Sequence, residues 1–350
     1  MSLSVIIPTL NEMHFLPRLI SDLNSQECEI QEIIIADGGS TDGTDLWAKG
    51  LGLRLAGGSS GRGAQMNAGA KVATGETLLF LHSDSTITDP TLLKRALAYL
   101  HDQQEHFEVV AGHFSLEFDC PNSQKTIAHR FAEKKSSFNR QNSVNGDQGL
   151  LISAQVFKKL GGYSEQFHFL EDQAMCELIR SRGKWVTLPG VLLTSNRRFE
   201  VEGIYRRFIL ASMLMGIYSA GIFRFFEKAP QVYANQDQTH KLMLTPFFEV
   251  IWGVLKNDYS FWERVKIWFR FGRYVHHHDW QLFHWLDTIL GTRFWLKTFD
   301  KYLVYISRIF IWDLIVTVLA YFWFRLVLTT YFKLNERGVF MAKNVTSKPQ

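Results

Sequence analysis

The chain has 350 residues and a formal net charge of +4, and 46% of its residues are apolar while 21% are charged. This composition excludes an intrinsically disordered protein, and the length suffices for one large domain or two ordinary ones. The three cysteines, Cys28, Cys120 and Cys176, lie too far apart for a zinc or disulfide framework, which indicates a reducing compartment. No basic segment precedes Pro8, so we expect no secretory signal there.

Charge and aromatic content divide the chain into two parts. Residues 1–200 carry 19 Lys+Arg and 23 Asp+Glu, whereas residues 201–350 carry 19 and 11 and hold eight of the ten tryptophans. Aromatic rings favour the headgroup level of a bilayer, and cations favour acidic lipids. We therefore predict a domain over 1–200, a helical, aromatic-rich, basic region over 201–335 that associates with an anionic membrane surface, and a flexible tail over 336–350. Nucleic acid is not an expected partner.

Strand and helix signals alternate along the first 90 residues. Continuous apolar runs predict strands at 4–8, 32–37, 53–56 and 76–82. The stretches between them predict helices at 15–23, 44–51 and 63–73. Because continuous apolar strands suit a sheet covered on both faces, this order predicts an α/β class with a doubly wound, mainly parallel sheet. Later signals predict strands at 149–153 and 191–194 and a helix at 171–182.

Acidic residues follow three of the predicted strands, namely Glu12, Asp37 and Asp84. In doubly wound sheets, ligands bind outside the carboxyl ends of the strands. An acidic site holds phosphates through a bridging cation, and Mg²⁺ or Mn²⁺ accepts one or two carboxylates for this purpose. Asp42 is open to two interpretations, a site residue or a cap of the next helix. Arg62 either adds positive charge beside a diphosphate or is a surface arginine in a glycine-rich turn.

Two classes of nucleotide-binding site are absent from the sequence. No Gly-Lys-Ser/Thr follows a glycine at the P-loop spacing, and no GxGxxG follows the first strand. We therefore do not expect a dinucleotide-binding protein. A nucleotidyltransferase would need a Gly, Arg or Lys loop for a triphosphate near the N-terminus, and the segment 9–12 does not supply one.

Several segments, in this order along the chain, resemble the family 2 glycosyltransferases. They are Val5–Glu12, Ala36–Thr44, Gly61–Ala70, Leu78–Asp84, Asn145–Tyr163 and Leu170–Asp172. The resemblance covers about residues 1–225 and is specific as a set, although each segment alone is a weak signal. It implies the GT-A fold, a nucleotide-sugar donor, a divalent cation (Mn²⁺ or Mg²⁺) and inversion at the anomeric carbon.

The resemblance assigns roles to residues of the donor side. Glu12 and Asp37 would hold the nucleoside, and Arg62 and Asn67 would bind the donor. Asp84 would be the metal-binding aspartate of the family's Asp-x-Asp. Two positions depart from the family's pattern. His82 replaces the first aspartate of that motif. It could bind the metal directly, hydrogen-bond to a metal ligand or have no part in metal binding. Gly38 replaces the second aspartate of the commoner Asp-Asp-Gly-Ser turn, which bears on the expected preference for a UDP-sugar.

Other positions belong to catalysis and to the acceptor. Glu171 and Asp172 resemble the family's Glu-Asp pair, in which the aspartate is the base. On the sequence alone, a place in the first turn of a helix is the favoured interpretation, because carboxylates there complement the macrodipole. The resemblance favours Asp172 as the base. Asp147 and Gln148 resemble an acceptor-side element. The pair Arg197 and Arg198 would either neutralise the diphosphate or begin the basic membrane face.

The second part of the chain contains four apolar segments. Residues 208–223 are too few for a ~30 Å hydrocarbon core and predict a buried or interfacial helix. Residues 309–332 contain Asp313, which is costly in lipid, so a span and an in-plane helix both stay open. Residues 247–255 and 261–274 predict amphipathic interfacial helices. The run His276-His-His278 is expected to be a solvated turn rather than a metal site.

These features predict a metal-dependent, inverting glycosyltransferase at the cytoplasmic face of a membrane, where nucleotide sugars are made. Its expected acceptor is a hydroxyl of a membrane lipid or a lipid-linked molecule. The alternative is a catalytically silent, glycosyltransferase-like protein that binds nucleotides or membranes. In that case His82 and Gly38 would mark a decayed site.

Overall fold

A computed structural model of the chain describes residues 2–57, 61–121, 123–141, 143, 146–165, 170–234 and 241–336. It divides into two compact units, Met1–Asn196 and Arg197–Gln350. Residues 337–350 of the predicted flexible tail lie outside the described residues. The remaining residue of that tail, Glu336, is 1% exposed at the end of a long helix, so the prediction of flexibility is wrong for this position.

The first unit alternates strands and helices as the sequence predicts. Its elements are β1 (Leu3–Thr9), α1 (Leu16–Asn24), β2 (Ile30–Asp37), α2 (Thr44–Gly50), β3 (Arg54–Gly57), α3 (Arg62–Val72), β4 (Thr77–Phe80), β5 (Ser85–Thr86), α4 (Leu92–His106), β6 (Val110–Asp119), α5 (Ile127–Ser136), β7 (Leu150–Ser153), α6 (Ala154–Leu160), α7 (Glu171–Arg182) and β8 (Lys184–Ser195).

One sheet of eight strands, in the order β3-β2-β1-β4-β7-β6-β8-β5, forms the centre of this unit. Strands β3, β2, β1 and β4 are mutually parallel, and β7 inserts antiparallel between β4 and β6. The side chains of β1 alternate between two cores, with Val5 and Ile7 on one face and Ile6 on the other. Both faces are therefore covered, which explains the continuous apolar runs. The predicted α/β class with a mainly parallel sheet is confirmed.

The second unit is helical. Its elements are α8 (Arg197–Glu202), α9 (Ile204–Ala220), α10 (Phe223–Ala234), α11 (Thr245–Asp258), α12 (Phe261–His277), α13 (Trp280–Leu290), α14 (Phe294–Thr298), α15 (Val304–Ser307) and α16 (Phe310–Phe322). A π-helical segment, Trp323–Leu328, continues α16. The whole helix runs from Phe310 to Glu336.

The helix Phe310–Glu336 is the one helix among the described residues that is long and apolar enough to cross a membrane. Only 22% of its most apolar 18-residue window is buried. Its one acidic residue near the start, Asp313, is paired with α12. Asp313 Oδ1 lies 2.7 Å from His276 Nδ1, and Oδ2 lies 3.5 Å from Arg273 Nε. These contacts offset the cost of a carboxylate in an apolar helix.

The predicted solvated turn at His276–His278 is wrong for its first residue. His276 lies in the last turn of α12, is 6% exposed and contacts Asp313. His276 faces Asp313 of α16, so the local pattern of three polar residues misjudged its burial, while His277 is exposed. No group of three or more potential metal ligands occurs among the described residues, here or elsewhere.

Candidate active site

The loops that follow β1 and β2 are tied together by the Asp37 carboxylate. Its oxygens accept hydrogen bonds from Thr9 Oγ1 (3.0 Å), from Ser40 Oγ (2.5 Å) and from the backbone N–H groups of Gly39 and Ser40 (both 2.9 Å). Burial would raise the pKa of Asp37, but these hydrogen bonds hold it below its ordinary value. The carboxylate is therefore ionised and orders the turn at the end of β2.

A second tie runs through Glu12 and Asp42. The backbone N–H of Glu12 donates to Thr44 Oγ1 (3.2 Å), and Thr44 Oγ1 donates to Asp42 Oδ1 (2.5 Å). Asp42 Oδ1 also accepts from the N–H of Thr44 (3.0 Å) at the start of α2. Asp42 therefore orders the turn before α2, whose N-cap position is Gly43, while Glu12 lies half-buried after β1.

A buried glutamine explains the glycine at position 38. Gln65 Nε2 donates to the carbonyls of Thr9 (2.7 Å) and Ala36 (2.9 Å) and so bridges the ends of β1 and β2. A Cβ at Gly38 would stand 2.8 Å from that Nε2. The departure from the family's second aspartate is thus matched by a side chain three residues into α3, which sequence reasoning missed.

Helix α3 also carries a cation into a group of carboxylates. Arg62, its first residue, pairs with Glu171 at 3.4 Å, between Nη1 and Oε1. Burial would lower the pKa of Arg62, but four nearby carboxylates raise it. They are Glu171, Asp172, Asp147 and Asp84. The structure therefore brings together the arginine and four of the predicted acidic residues.

His82 is held by Asp147 on the same side of the sheet. The chain leaves β4 at Phe80, and His82 Nδ1 lies 2.7 Å from Asp147 Oδ1. Because a carboxylate accepts, the Nδ1–H of His82 donates this hydrogen bond. His82 Nε2 is buried and has no hydrogen-bond partner among the described residues.

Gly146 lies in contact with both His82 and Asp172. A Cβ at Gly146 would stand 2.1 Å from Asp172 Oδ2 and 2.9 Å from His82 Cε1. Both side chains thus occupy the space beside this glycine, and a larger residue would displace them. The sequence pattern gave no reason to single out Gly146.

The Asp172 carboxyl has an unusual affinity for its proton. Burial, reinforced by the negative charge of Glu171, raises its pKa from 3.8 to about 7, although His82 and Arg62 oppose this shift. The neighbouring Tyr163 phenol, 3% exposed, has a pKa well above 10, because burial and the charges of Asp172 and Glu171 disfavour its anion. Asp172 is therefore a carboxyl that gains and loses its proton near neutral pH.

Two of the predicted site residues, Asn67 and Gln148, make hydrogen bonds within the first unit. Asn67 Nδ2 donates to the carbonyl of Tyr163 (2.9 Å) and to Glu165 Oε1 (2.8 Å), and Asn67 Oδ1 accepts from the N–H of Tyr163 (2.8 Å). Gln148 is fully buried, and its Nε2 donates to the carbonyls of Phe114 (3.0 Å) and Ser136 (2.9 Å). These contacts join Asn67 to the segment after α6, and they join Gln148 to β6 and to the end of α5. The predicted roles of Asn67 in donor binding and of Gln148 on the acceptor side stay predictions.

The last pair of predicted site residues begins the second unit. Arg197 and Arg198 are exposed in α8, and both of their proposed roles stay predictions. Asp84 is half-buried after β4, where its charge acts on Arg62. The site in the first unit therefore consists of Arg62, His82, Asp84, Asp147, Glu171 and Asp172, beside the turns that hold Glu12 and Asp37.

Comparisons with known proteins find similar sequences and similar solved structures. Over 108 residues, the chain is 36% identical to PGL/p-HBAD biosynthesis glycosyltransferases of Mycobacterium bovis (strain BCG / Pasteur 1173P2) and Mycobacterium tuberculosis (strain ATCC 25177 / H37Ra). The match covers 29% of this chain and 42% of each relative, so the chain spans less than half of their length. Among solved structures, S. aureus TarS 1-349 in complex with UDP-GlcNAc is similar, with 16% identity and a TM-score of 0.47, over 86% of this chain and 92% of that one.

The family model for "Glycosyl transferase family 2" matches residues 4–161, which run from β1 to the end of α6. This range holds the turns with Glu12 and Asp37, the start of α3, and the His82–Asp147 pair. This part of the first unit is therefore similar to glycosyltransferase family 2.

Proposed function

We propose that the protein transfers a sugar from a nucleotide-sugar donor to an acceptor hydroxyl, with Asp172 as the general base and with inversion at the anomeric carbon. The pKa of Asp172, about 7, carries the proposal. A general base works best when its pKa lies near the operating pH, and such a base contributes about 10²–10⁴-fold to the rate. The capping interpretation of Glu171 and Asp172 does not account for a raised pKa, because a helix N-terminus stabilises the carboxylate.

The residues around Asp172 have the chemistry to assist both the attacking hydroxyl and the leaving diphosphate of a displacement reaction. The Asp172 carboxylate takes the proton of the acceptor hydroxyl as that oxygen attacks the sugar from the face opposite the diphosphate. Arg62 offers positive charge to the departing diphosphate. Glu171 holds Arg62 and, through its own charge, keeps the proton affinity of Asp172 high.

The donor atoms beside the site fit a divalent cation. His82 presents a buried Nε2 without a hydrogen-bond partner among the described residues, and Asp147 orients the ring through Nδ1. Metal-binding histidines commonly donate their second N–H to a carboxylate in this way. With Asp84 as the oxygen ligand, an imidazole in the set suits Mn²⁺ better than Mg²⁺. When bound, the cation would stabilise the negative charge that develops on the diphosphate.

A UDP-sugar is the proposed donor, with Glu12 and Asp37 on the nucleoside side. The proposed acceptor is a lipid or lipid-linked hydroxyl at the cytoplasmic face of a membrane. Apolar side chains exposed along the helix Phe310–Glu336 support membrane association, since soluble proteins rarely expose patches of this size. They include Phe310, Ile311, Trp312, Val318, Leu319, Phe322, Trp323, Leu326 and Val327.

Two contacts in the structure argue against the catalytically silent alternative, which rested on His82 and Gly38 as marks of a decayed site. The glycine at 38 is matched by Gln65, and His82 is oriented by Asp147. Both departures are accommodated by partners elsewhere in the first unit, which is not the pattern of a decaying site.

We expect the purified full-length protein, with Mn²⁺ or Mg²⁺ and a membrane lipid extract, to consume one of a panel of UDP-, GDP- and dTDP-sugars. With a donor labelled in its sugar, the label should appear in the organic phase after extraction, because the acceptor is a lipid. The donor should also raise the melting temperature of the protein by binding the native state. Asp84→Ala should lose turnover and the response to added metal, while Asp102→Ala, at an exposed position on α4, should not. Donor binding without turnover by the unmodified protein would favour the silent alternative.

A further inference from the structure

The second unit contains an open cavity of about 380 Å³ on the helix Phe310–Glu336. Seven residues line it, all from this helix except Trp252 of α11. They are Trp252, Arg325, Leu326, Thr329, Thr330, Lys333 and Leu334. None of these lining residues, which all lie within the described range 241–336, is acidic. The cavity is separate from the carboxylate site of the first unit in both its residues and its charge.

The spacing of the lining residues places their chemistry in two neighbouring rows. Arg325, Thr329 and Lys333 follow one another at intervals of four, so they share one row of the helix. Leu326, Thr330 and Leu334 form the adjacent row. One row thus supplies cations with a hydroxyl between them, and the other supplies two leucines that flank a second hydroxyl.

The arginine is held in place before any ligand arrives. Arg325 Cζ lies 4.5 Å from the centroid of the Trp252 ring, which is a favourable cation–π arrangement. Trp252 is itself packed between Trp268 (ring centroids 5.7 Å apart) and Phe324 (5.7 Å). Arg325 also lies within the π-helical segment Trp323–Leu328, a rare local geometry that often marks functional sites.

We propose that this cavity binds the phosphate headgroup of an anionic membrane lipid. A guanidinium fork matches phosphate geometry, and Lys333 adds donors to the same anion. The Thr329 hydroxyl donates to the carbonyl of Phe324 (2.7 Å). The cavity lies on a helix with exposed apolar side chains, and its own leucines, Leu326 and Leu334, are both 58% exposed. A free phosphate would leave these surfaces in water, whereas the acyl chains of a lipid would cover them. The proposal rests on the proposed membrane association and names the lipid class.

Vesicle flotation of the full-length protein tests the proposal. The probes are phosphatidylcholine vesicles with and without phosphatidylglycerol. The test variant is Arg325→Gln/Lys333→Gln, and the control is Arg293→Gln/Lys297→Gln, two exposed cations of the same unit that do not line the cavity. Each variant loses the same charge, so general attraction to an anionic surface, about 1 kcal/mol per cation near the membrane, falls equally in both. We expect the test variant to lose its preference for anionic vesicles by about tenfold more than the control.

Each other result overturns the proposal in a recognisable way. Equal losses in the two variants would mean general electrostatic attraction only. If inorganic phosphate stabilised the unmodified protein against heat but not the test variant, and anionic vesicles gave no preference, the cavity would be a site for free phosphate. Failure of the unmodified protein to float with either vesicle would contradict membrane association itself. Binding to both vesicle types with equal affinity would leave membrane association standing and remove the headgroup site.

Discussion

Replacement of Asp172 by asparagine is expected to lower kcat by about 10²–10⁴-fold while leaving the affinity for the donor nearly unchanged. The amide keeps the shape of the side chain but cannot accept the proton of the acceptor hydroxyl. In the proposed function the donor is bound by other groups, among them Arg62. Steady-state kinetics with the donor found in the panel, together with the donor-induced rise in melting temperature, separate the two effects. An unchanged kcat would exclude Asp172 as the base.

The pH dependence of the same reaction tests whether the pKa of Asp172 is raised. Only the ionised carboxylate is a base, so kcat/KM of the unmodified protein should fall as the pH drops below about 7. Glu171→Gln removes a neighbouring negative charge that raises the pKa of Asp172, so this fall should move to lower pH. A fall near the ordinary aspartate value of 3.8 in the unmodified protein would contradict a raised pKa.

Gly146→Ala is expected to abolish most of the turnover without removing any functional side chain. The new methyl group would stand 2.1 Å from Asp172 Oδ2 and 2.9 Å from His82 Cε1, so both side chains must move. A displacement of about 1 Å in a catalytic group can cost about 10²-fold in rate. We therefore expect kcat to approach that of Asp172→Asn, and the response to Mn²⁺ to weaken because His82 also shifts.

Gly50→Ala is the matched control for this variant. Gly50 ends α2, and a Cβ there would meet no atom within 4 Å. Turnover by Gly50→Ala should equal that of the unmodified protein, and both alanine variants should keep the secondary structure seen by circular dichroism. If Gly146→Ala retained full activity, the arrangement of Asp172 and His82 around this glycine would be wrong.

Much of the fold was accessible from the sequence because local and global signals agree in the first half. The runs that became β1, β2 and β4 are mainly apolar and are followed by polar residues. Strand β6 (Val110–Asp119) was missed, since His113, Ser115 and Glu117 interrupt its apolar pattern. His113 is nonetheless buried, with Trp185 Nε1 donating to its Nδ1 at 2.6 Å. That contact joins residues 72 positions apart, and no local pattern reveals it.

The sequence pointed to the carboxylates that the structure brings together, but not to the hydrogen bonds that amide side chains make with the surrounding loops. The resemblance pointed to Glu171, Asp172 and Asp84 because carboxylates recur at fixed places in the family. It could not distinguish an amide that binds a donor from one that binds the backbone. Asn67 and Gln148 were predicted as binding residues, and the structure shows that both also make hydrogen bonds to backbone groups far away in the sequence. Gln65 gave no signal, because its two partners lie at the ends of separate strands.

Thermal melting of the unmodified protein and of Asp172→Asn across pH 4.5 to 8.5 tests the central claim without any substrate. A carboxyl whose pKa is about 7 when folded and ordinary when unfolded binds its proton more tightly in the folded state. The stability of the unmodified protein should therefore fall as the pH rises from about 4 to about 7. Asp172→Asn should then melt at a higher temperature at pH 8, and the gain should vanish near pH 4.5. A lower melting temperature of Asp172→Asn at pH 8 would instead show a helix-stabilising carboxylate and contradict the buried base.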